Sequence, residues 1–229
     1  MAAQTHACPT DCGALVRADH LLCRACWAAV PPDLQRQLLR AWRAWQSPRN
    51  IPCALGSYRR ARDLAVVAAR LAASPAVSPL FVAAVPVPWP WVLLRTAVRV
   101  IPCELACPVA PEAERPYVAL LQRDIDPRTL RWLKDLGEAP DTAQGVITAV
   151  ARLTRAEEST QEGILQGQPA WWLQDVVPLP QPVPARGRWL RTEFFCPDAP
   201  LLAQIREQFK AGQAELAQAS RLDYDWSNQ

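Results

Sequence analysis

Two stretches decide how the second half of the chain folds: GVITAVARLTRAEES at residues 145–159 and WLQDVVPLPQPVPARGR at residues 172–188. The first carries β-branched residues at 146, 147, 148 and 150, which suit a pleated, half-buried surface and give a strand over 145–153. The second has proline at 178, 180, 182 and 184. Each proline fixes φ and removes a backbone N–H, so the segment is held extended but cannot donate to a central ladder. Such a strap belongs at the edge of a small sheet or barrel. A polyproline ligand for an SH3-like partner is the competing reading, but the flanking strand residues embed the strap in the fold.

Working outward, short apolar runs punctuated by proline and glycine predict further strands at 80–87, 117–121, 171–177 and 188–195. Between them, 91–98 and 126–136 read as helices, the second capped by Asp126 with Pro127 at its first position and Gly137 after its end. A last helix starts near Asp198, with Leu201, Leu202, Ile205, Phe209 and Leu216 on one side. This half is α+β, built on a small, mostly antiparallel sheet or barrel. Upstream, the pattern is helical. Leu34, Leu38, Trp42 and Trp45 recur at helical spacing over 33–46, and Ala61, Leu64, Ala65, Ala68 and Leu71 form the buried face of a helix from about Ser57 to Ser74-Pro75. The expected organisation is a module over 1–75, a linker over 76–79, a barrel over 80–196 and a C-terminal helix and tail over 197–229.

With 229 residues, half of them apolar, and 25 Lys+Arg against 22 Asp+Glu, the chain can bury a core and is not a disordered tail. No apolar stretch approaches the ~20 residues of a membrane span. The start MAAQTHACPTDC lacks a basic region followed by an apolar one, so a cytoplasmic protein is expected. The small net charge hides an asymmetry: residues 1–75 hold 10 Arg and 4 acids, whereas the remainder holds 15 basic and 18 acidic groups. The first module is biased towards an anionic partner even if bound thiolates offset part of that charge. A solvated helix face in an arginine-rich composition is the plainer reading.

Eight cysteines are too few for a disulfide scaffold. Four of them fall as Cys8-x3-Cys12-x10-Cys23-x2-Cys26, two pairs on two turns across a ten-residue excursion, a spacing that lets one tetrahedral Zn²⁺ take all four thiolates. Four soft ligands with no open position make the zinc structural rather than catalytic. Gly13, directly after Cys12, suits a knuckle turn. His6 and His20 flank the site as alternative ligands. Cys53, Cys103, Cys107 and Cys196 pack as small apolar residues or make a second site.

Residues 8–71 also resemble a family of small zinc-ribbon proteins of bacteria and their phages. The matching positions are Cys23, Cys26, Trp27, Val30, Pro31, Leu34, Gln35 and Arg36. That resemblance implies zinc and no particular activity. The two opening stretches, together with AVPVPWPWVLL at 84–94, resemble the ASCH domain, a PUA-like β-barrel. The likeness spans about residues 80–196 and is strongest at its C-terminal end. It implies recognition of RNA or of a modified or flipped base in a cleft between barrel and helix. Trp89, Trp91, Trp171 and Trp172 are then the candidate stacking faces, with Arg99, Arg186 and Arg188 as the basic groups beside them. Some members of that family hydrolyse N4-acylated cytidines through a Gly-x-Lys-Thr-x-Glu-like stretch. Here the aligned residues are RTAVRVIPC at 95–103: the lysine is absent, Ile101 stands at the acid, and arginine cannot shuttle a proton. The leading expectation is therefore a zinc-containing nucleic-acid-binding protein without catalysis. A hydrolase of a modified nucleoside or RNA, using Arg99, Glu104 or Glu193, is the second reading. The third is a protein-interaction module presenting the tryptophan-bearing helix 33–46 and the C-terminal helix.

Overall fold

The computed structural model describes residues 4–47, 53–73, 80–95, 98–108, 116–135, 137, 142–160, 166–185 and 192–227, with side chains through 219. The linker 76–79 and Arg186 and Arg188 lie outside the described residues. The chain opens with a two-stranded hairpin, β1 (Thr5–Ala7) and β2 (Leu15–Arg17), followed by α1 (Arg24–Ala28), α2 (Pro32–Gln46) and α3 (Ala54–Ala73). Then come β3 (Leu80–Val87), α4 (Trp89–Arg95), β4 (Val100–Pro102), β5 (Tyr117–Ile125), α5 (Pro127–Asp135), β6 (Val146–Glu158), β7 (Pro169–Pro184), β8 (Phe194–Phe195) and α6 (Ala199–Ser227).

The larger sheet has six strands in the order β4-β7-β6-β5-β3-β8 and curls into a half-barrel. Its ladders are antiparallel except for β3 against β5. The curl has a local cause. Register shifts break β5 against β6 at Leu120/Leu121, and β6 against β7 at three places from Ile147 to Arg155; each extra residue bends its strand and increases its twist. β3 alternates strictly. Phe81, Ala83 and Val85 face one apolar cluster while Val82 faces the other, and Val118 and Leu120 of β5 are split from Ala119 and Leu121 in the same way. A strand buried on both sides reads as a continuous apolar run, which is why LFVAAVPV and YVALL carry no charged residue.

The proline strap pairs with β6 through Pro178 and Pro184, while β4 meets β7 only at 170–172. The proline-bearing half therefore lacks a second strand neighbour among the described residues, as missing N–H groups require. Instead α6 lies on it. The Gln181 N–H donates to Gln208 Oε1 at 3.0 Å, and Ile205, Leu201 and Phe209 close the second cluster.

The first cluster runs continuously from Cys8 through α2, α3 and α4 to Trp171 and Phe194. Hairpin, helices and sheet thus share one core. Gln37 on α2 fastens them further, accepting from the Ala106 N–H at 2.7 Å and donating to the Glu104 carbonyl at 3.2 Å. The expected α3 face is buried throughout. On α2, Leu34 and Leu38 are buried, but Trp42 and Trp45 remain 45% and 42% exposed: the expected stripe leaves the core after two turns. α5 begins as expected, with Asp126 Oδ1 accepting from the Arg128 and Thr129 N–H groups at 3.0 and 3.3 Å, and Gly137 follows its end at φ 78°. No described helix is long and apolar enough to cross a membrane.

Candidate metal centre and cleft

The hairpin and α1 bring the sulfurs of Cys8, Cys12, Cys23 and Cys26 within 4.8 Å of one another. The turn that permits this is sharp: Asp11 and Gly13 take φ 60° and 79°, while the Cys8 N–H donates to the Ala14 carbonyl at 2.9 Å and the Asp11 N–H to the Cys8 carbonyl at 3.0 Å. Cys23 caps α1, its sulfur accepting from the Cys26 N–H at 3.5 Å. Thr10 Oγ1 sits 3.2 Å from Cys8 Sγ and 3.0 Å from Cys26 Sγ. Arg70 of α3 donates to the Pro9 carbonyl at 2.9 Å and pairs with Asp11 at 2.5 Å, so the knuckle is tied to the longest N-terminal helix.

The donor set fits a tetrahedral cation. Ligand bonds of ~2.3 Å place the sulfurs ~3.8 Å apart along each edge, and Cys12 Sγ and Cys23 Sγ are 3.7 Å apart. Burial opposes ionisation of Cys8, yet hydrogen bonds from the Cys23 backbone and from Thr10 lower its thiol to about 6. For Cys26 the Thr10 hydroxyl works the same way, but burial and the three neighbouring cysteines push it up to about 12. Crowded thiols cannot all ionise without a countercharge, and a divalent cation would supply it. The flanking histidines are engaged elsewhere: His6 meets the Ala7 and His20 carbonyls at 2.8 and 2.9 Å, and His20 Nδ1 meets Asp19 at 3.0 Å. Among the described residues, no second group of three or more potential ligands converges, so Cys53, Cys103, Cys107 and Cys196 do not gather.

A cleft opens between α3 and the ends of β3, β4, β5 and β8. One chamber of about 250 Å³ is lined by Ala83–Pro86, Ile101–Leu105, Trp171 and Phe194; an adjoining one of about 530 Å³ is lined by Gly56, Arg59, Arg62 and Asp63. Arg60, Arg123 and Glu193 line both. Glu193 is set in place by its own backbone, because its carbonyl accepts from the Ala84 N–H at 2.7 Å. Across the cleft, Arg60 Nε stands 3.6 Å from the Glu193 carboxylate. Arg123, at the end of a strand whose buried run is otherwise largely apolar, reaches Asp124 with Nε at 3.3 Å. Its Nη1 is buried and has no hydrogen-bond partner among the described residues. Burial raises the Glu193 carboxyl above its usual range against the pull of Arg60 and Arg123, and burial likewise raises Asp63 against Arg62. Cys103 faces the same space as a neutral thiol, pushed up to about 12 by burial.

The sequence candidates distribute unevenly around this cleft. Trp171 contributes to its inner wall, but the ring is buried, donates Nε1–H to the Leu105 carbonyl at 2.6 Å and lies edge-on to Phe81. Trp89 is buried in the core. Trp91 is partly buried against the same cluster, and Trp172 lies beneath the Arg155 guanidinium at 4.4 Å. Arg99 is exposed and donates Nη1–H to the Leu93 and Val98 carbonyls at 3.1 and 2.9 Å. Glu104 and Glu193 do line the cleft. Sequence reasoning does not single out Arg60, Asp63 or Arg123; a charge closing an apolar strand, as at Arg123, is the available signal. No protein-family model matches the chain, and no curated protein is significantly similar to it.

Proposed function

We propose that the protein is a zinc-containing nucleic-acid-binding protein whose cleft, between α3 and an ASCH-like half-barrel, receives one nucleotide unit of RNA or a modified or flipped base, without chemical turnover. Cys8, Cys12, Cys23 and Cys26 would hold the zinc, whose work is structural: it fixes the hairpin on which α3, one wall of the cleft, is braced. The observation that carries the reading is Arg123, whose buried Nη1 has no hydrogen-bond partner among the described residues and which lines the cleft. A buried guanidinium nitrogen without an acceptor is costly, and a phosphate or base carbonyl oxygen would supply the missing partner once the half-buried Arg123 side chain turns that nitrogen into the cleft. Glu193 opposite can accept from an exocyclic amine, which favours a base over a simple anion.

The test is a binding titration with labelled RNA, single-stranded DNA and duplexes carrying modified bases, at low salt. Binding that weakens as salt rises is expected, with Arg123→Gln weakening it by ~10-fold or more, as a charged hydrogen bond implies. Absence of binding to all three would overturn the proposal. Hydrolysis of a modified nucleoside is the second reading, favoured by the raised Glu193 carboxyl inside the cleft, a group suited to proton transfer. Under that reading Glu193→Gln retains binding and loses turnover of N4-acylated cytidine; a wild-type protein that never turns it over removes the reading.

A further inference from the structure

The two chambers of the cleft are chemically unlike. The smaller is walled mostly by apolar side chains, whereas the larger is lined almost wholly by charged ones: Arg59, Arg60, Arg62 and Asp63 of α3, with Arg123 and Glu193 opposite. On α3, residues 59 and 62, and 60 and 63, are neighbours at i,i+3 spacing, which sets all four on one side of the helix. Their donors are unequally engaged. Arg62 gives Nε and Nη2 to Asp63 Oδ1 at 3.0 and 2.6 Å. Arg60 comes no closer to Glu193 than 3.6 Å, beyond hydrogen-bond distance. Arg59 is exposed and forms no ion pair among the described residues, and Arg123 reaches Asp124 with Nε while Nη1 has no partner. Four guanidiniums thus face two carboxylates in the larger chamber, or three when the largely exposed Asp124 of the smaller chamber is added. Glu104, at the far wall of the smaller chamber, also borders Arg36 and Arg40 on its other side. The larger chamber therefore stays cationic, with donors on three arginines still available.

We propose that the larger chamber is a site for a terminal phosphoryl group, so that the cleft takes the phosphorylated end of a strand or a free mononucleotide, with the base in the smaller chamber. This rests on the cleft reading and narrows it, because an internal nucleotide has no such group. A phosphodiester offers two unesterified oxygens and one charge, whereas a terminal phosphoryl offers three oxygens and close to two charges. The second charge and the third oxygen match what Arg59 and Arg60 leave unpaired, and guanidinium forks suit phosphate oxygens. Arg123 joins them once its Nη1 turns into the cleft. The adjoining apolar chamber selects a phosphoryl group carried on a base over inorganic phosphate, since apolar walls with a few placed polar groups hold flat organic ligands.

Isothermal titration calorimetry of the full chain tests it, with uridine, uridine monophosphate and short oligouridylates that end in a hydroxyl or in a phosphate. The phosphate-ended oligonucleotide should bind ~10-fold or more tightly than the hydroxyl-ended one, as a charged hydrogen bond implies. Arg59→Gln should abolish that preference, and Arg59→Lys, which keeps the charge but not the fork, should restore part of it. Arg59 is exposed, so neither variant disturbs the core. The two sources of the group separate by length: a monophosphate that binds as tightly as the phosphate-ended oligonucleotide supports a free nucleotide, and a much tighter oligonucleotide supports a strand end. Equal affinity for both ends, weakened alike by Arg123→Gln, overturns the phosphoryl site and leaves the cleft reading standing. A preference that survives Arg59→Gln combined with Arg60→Gln also overturns it. Uridine monophosphate that binds through Arg59 while neither oligonucleotide binds supports the phosphoryl site and removes the nucleic-acid reading. Absence of binding by every phosphorylated ligand overturns the phosphoryl site.

Discussion

Gly212 tests the seating of α6 on the proline strap. A Cβ at this position would lie 2.1 Å from the Pro178 carbonyl oxygen and 3.0 Å from Val177 Cγ1. The obstruction is backbone, and the strap is stiff, so the helix and strap must separate by ~1 Å or distort. Overpacking of this kind costs ~1–3 kcal/mol, while alanine returns up to ~1 kcal/mol of helix propensity. Gly212→Ala should therefore destabilise by ~1–2 kcal/mol, lowering the melting temperature by roughly 2–8 °C at this chain length. Gly56 in the first turn of α3 is the matched control. Nothing lies within 4 Å of its added Cβ, and Gly56→Ala should stabilise by ~0.5–1 kcal/mol. Urea unfolding followed by circular dichroism reads both. A Gly212→Ala midpoint at or above the wild type would mean that α6 does not rest on residues 177–178.

Trp171→Phe keeps a ring against Phe81 and Phe194 but strips the Leu105 carbonyl of its donor; a loss of ~1–3 kcal/mol in urea is expected. Because burial raises the Glu193 carboxyl, the folded state binds its proton more tightly than the unfolded state does. Its contribution is present below the ordinary value of 4.5 and is lost as pH rises through the raised value. Glu193→Gln should flatten the stability profile over that window, measured as melting temperature against pH; an unchanged slope would refute the assignment. Thiol titration with an aromatic disulfide should find exposed Cys53 reactive and Cys103, half-buried at the cleft wall and held neutral, slower to react in the folded protein than after unfolding.

The cysteine cluster is readable because its four members lie within 19 residues of one another and spacing alone brings them together. β3, α2 and α5 are legible for the same local reason, through period and caps. β4, three residues long, and the extension of β6 and β7 to Glu158 and Pro184 are not, since their boundaries depend on bulges and pairing rather than on propensity. The tryptophans at 89 and 171 have an apolar body that the core claims, which ring chemistry alone does not foretell. Trp42 and Trp45 fail in the opposite direction, their periodicity outlasting the surface available to cover it. The cleft escapes because Arg60, Arg123 and Glu193 are brought together only by α3 packing against β8 at the edge of the sheet, a long-range event without a local signature.

Native mass spectrometry of the purified, unchelated protein bears most directly on the proposed zinc centre at Cys8, Cys12, Cys23 and Cys26. One zinc ion per chain is expected, lost together with the hairpin's hydrogen-exchange protection in Cys8→Ser or Cys26→Ser. A chain carrying no metal, with that protection intact, would contradict it.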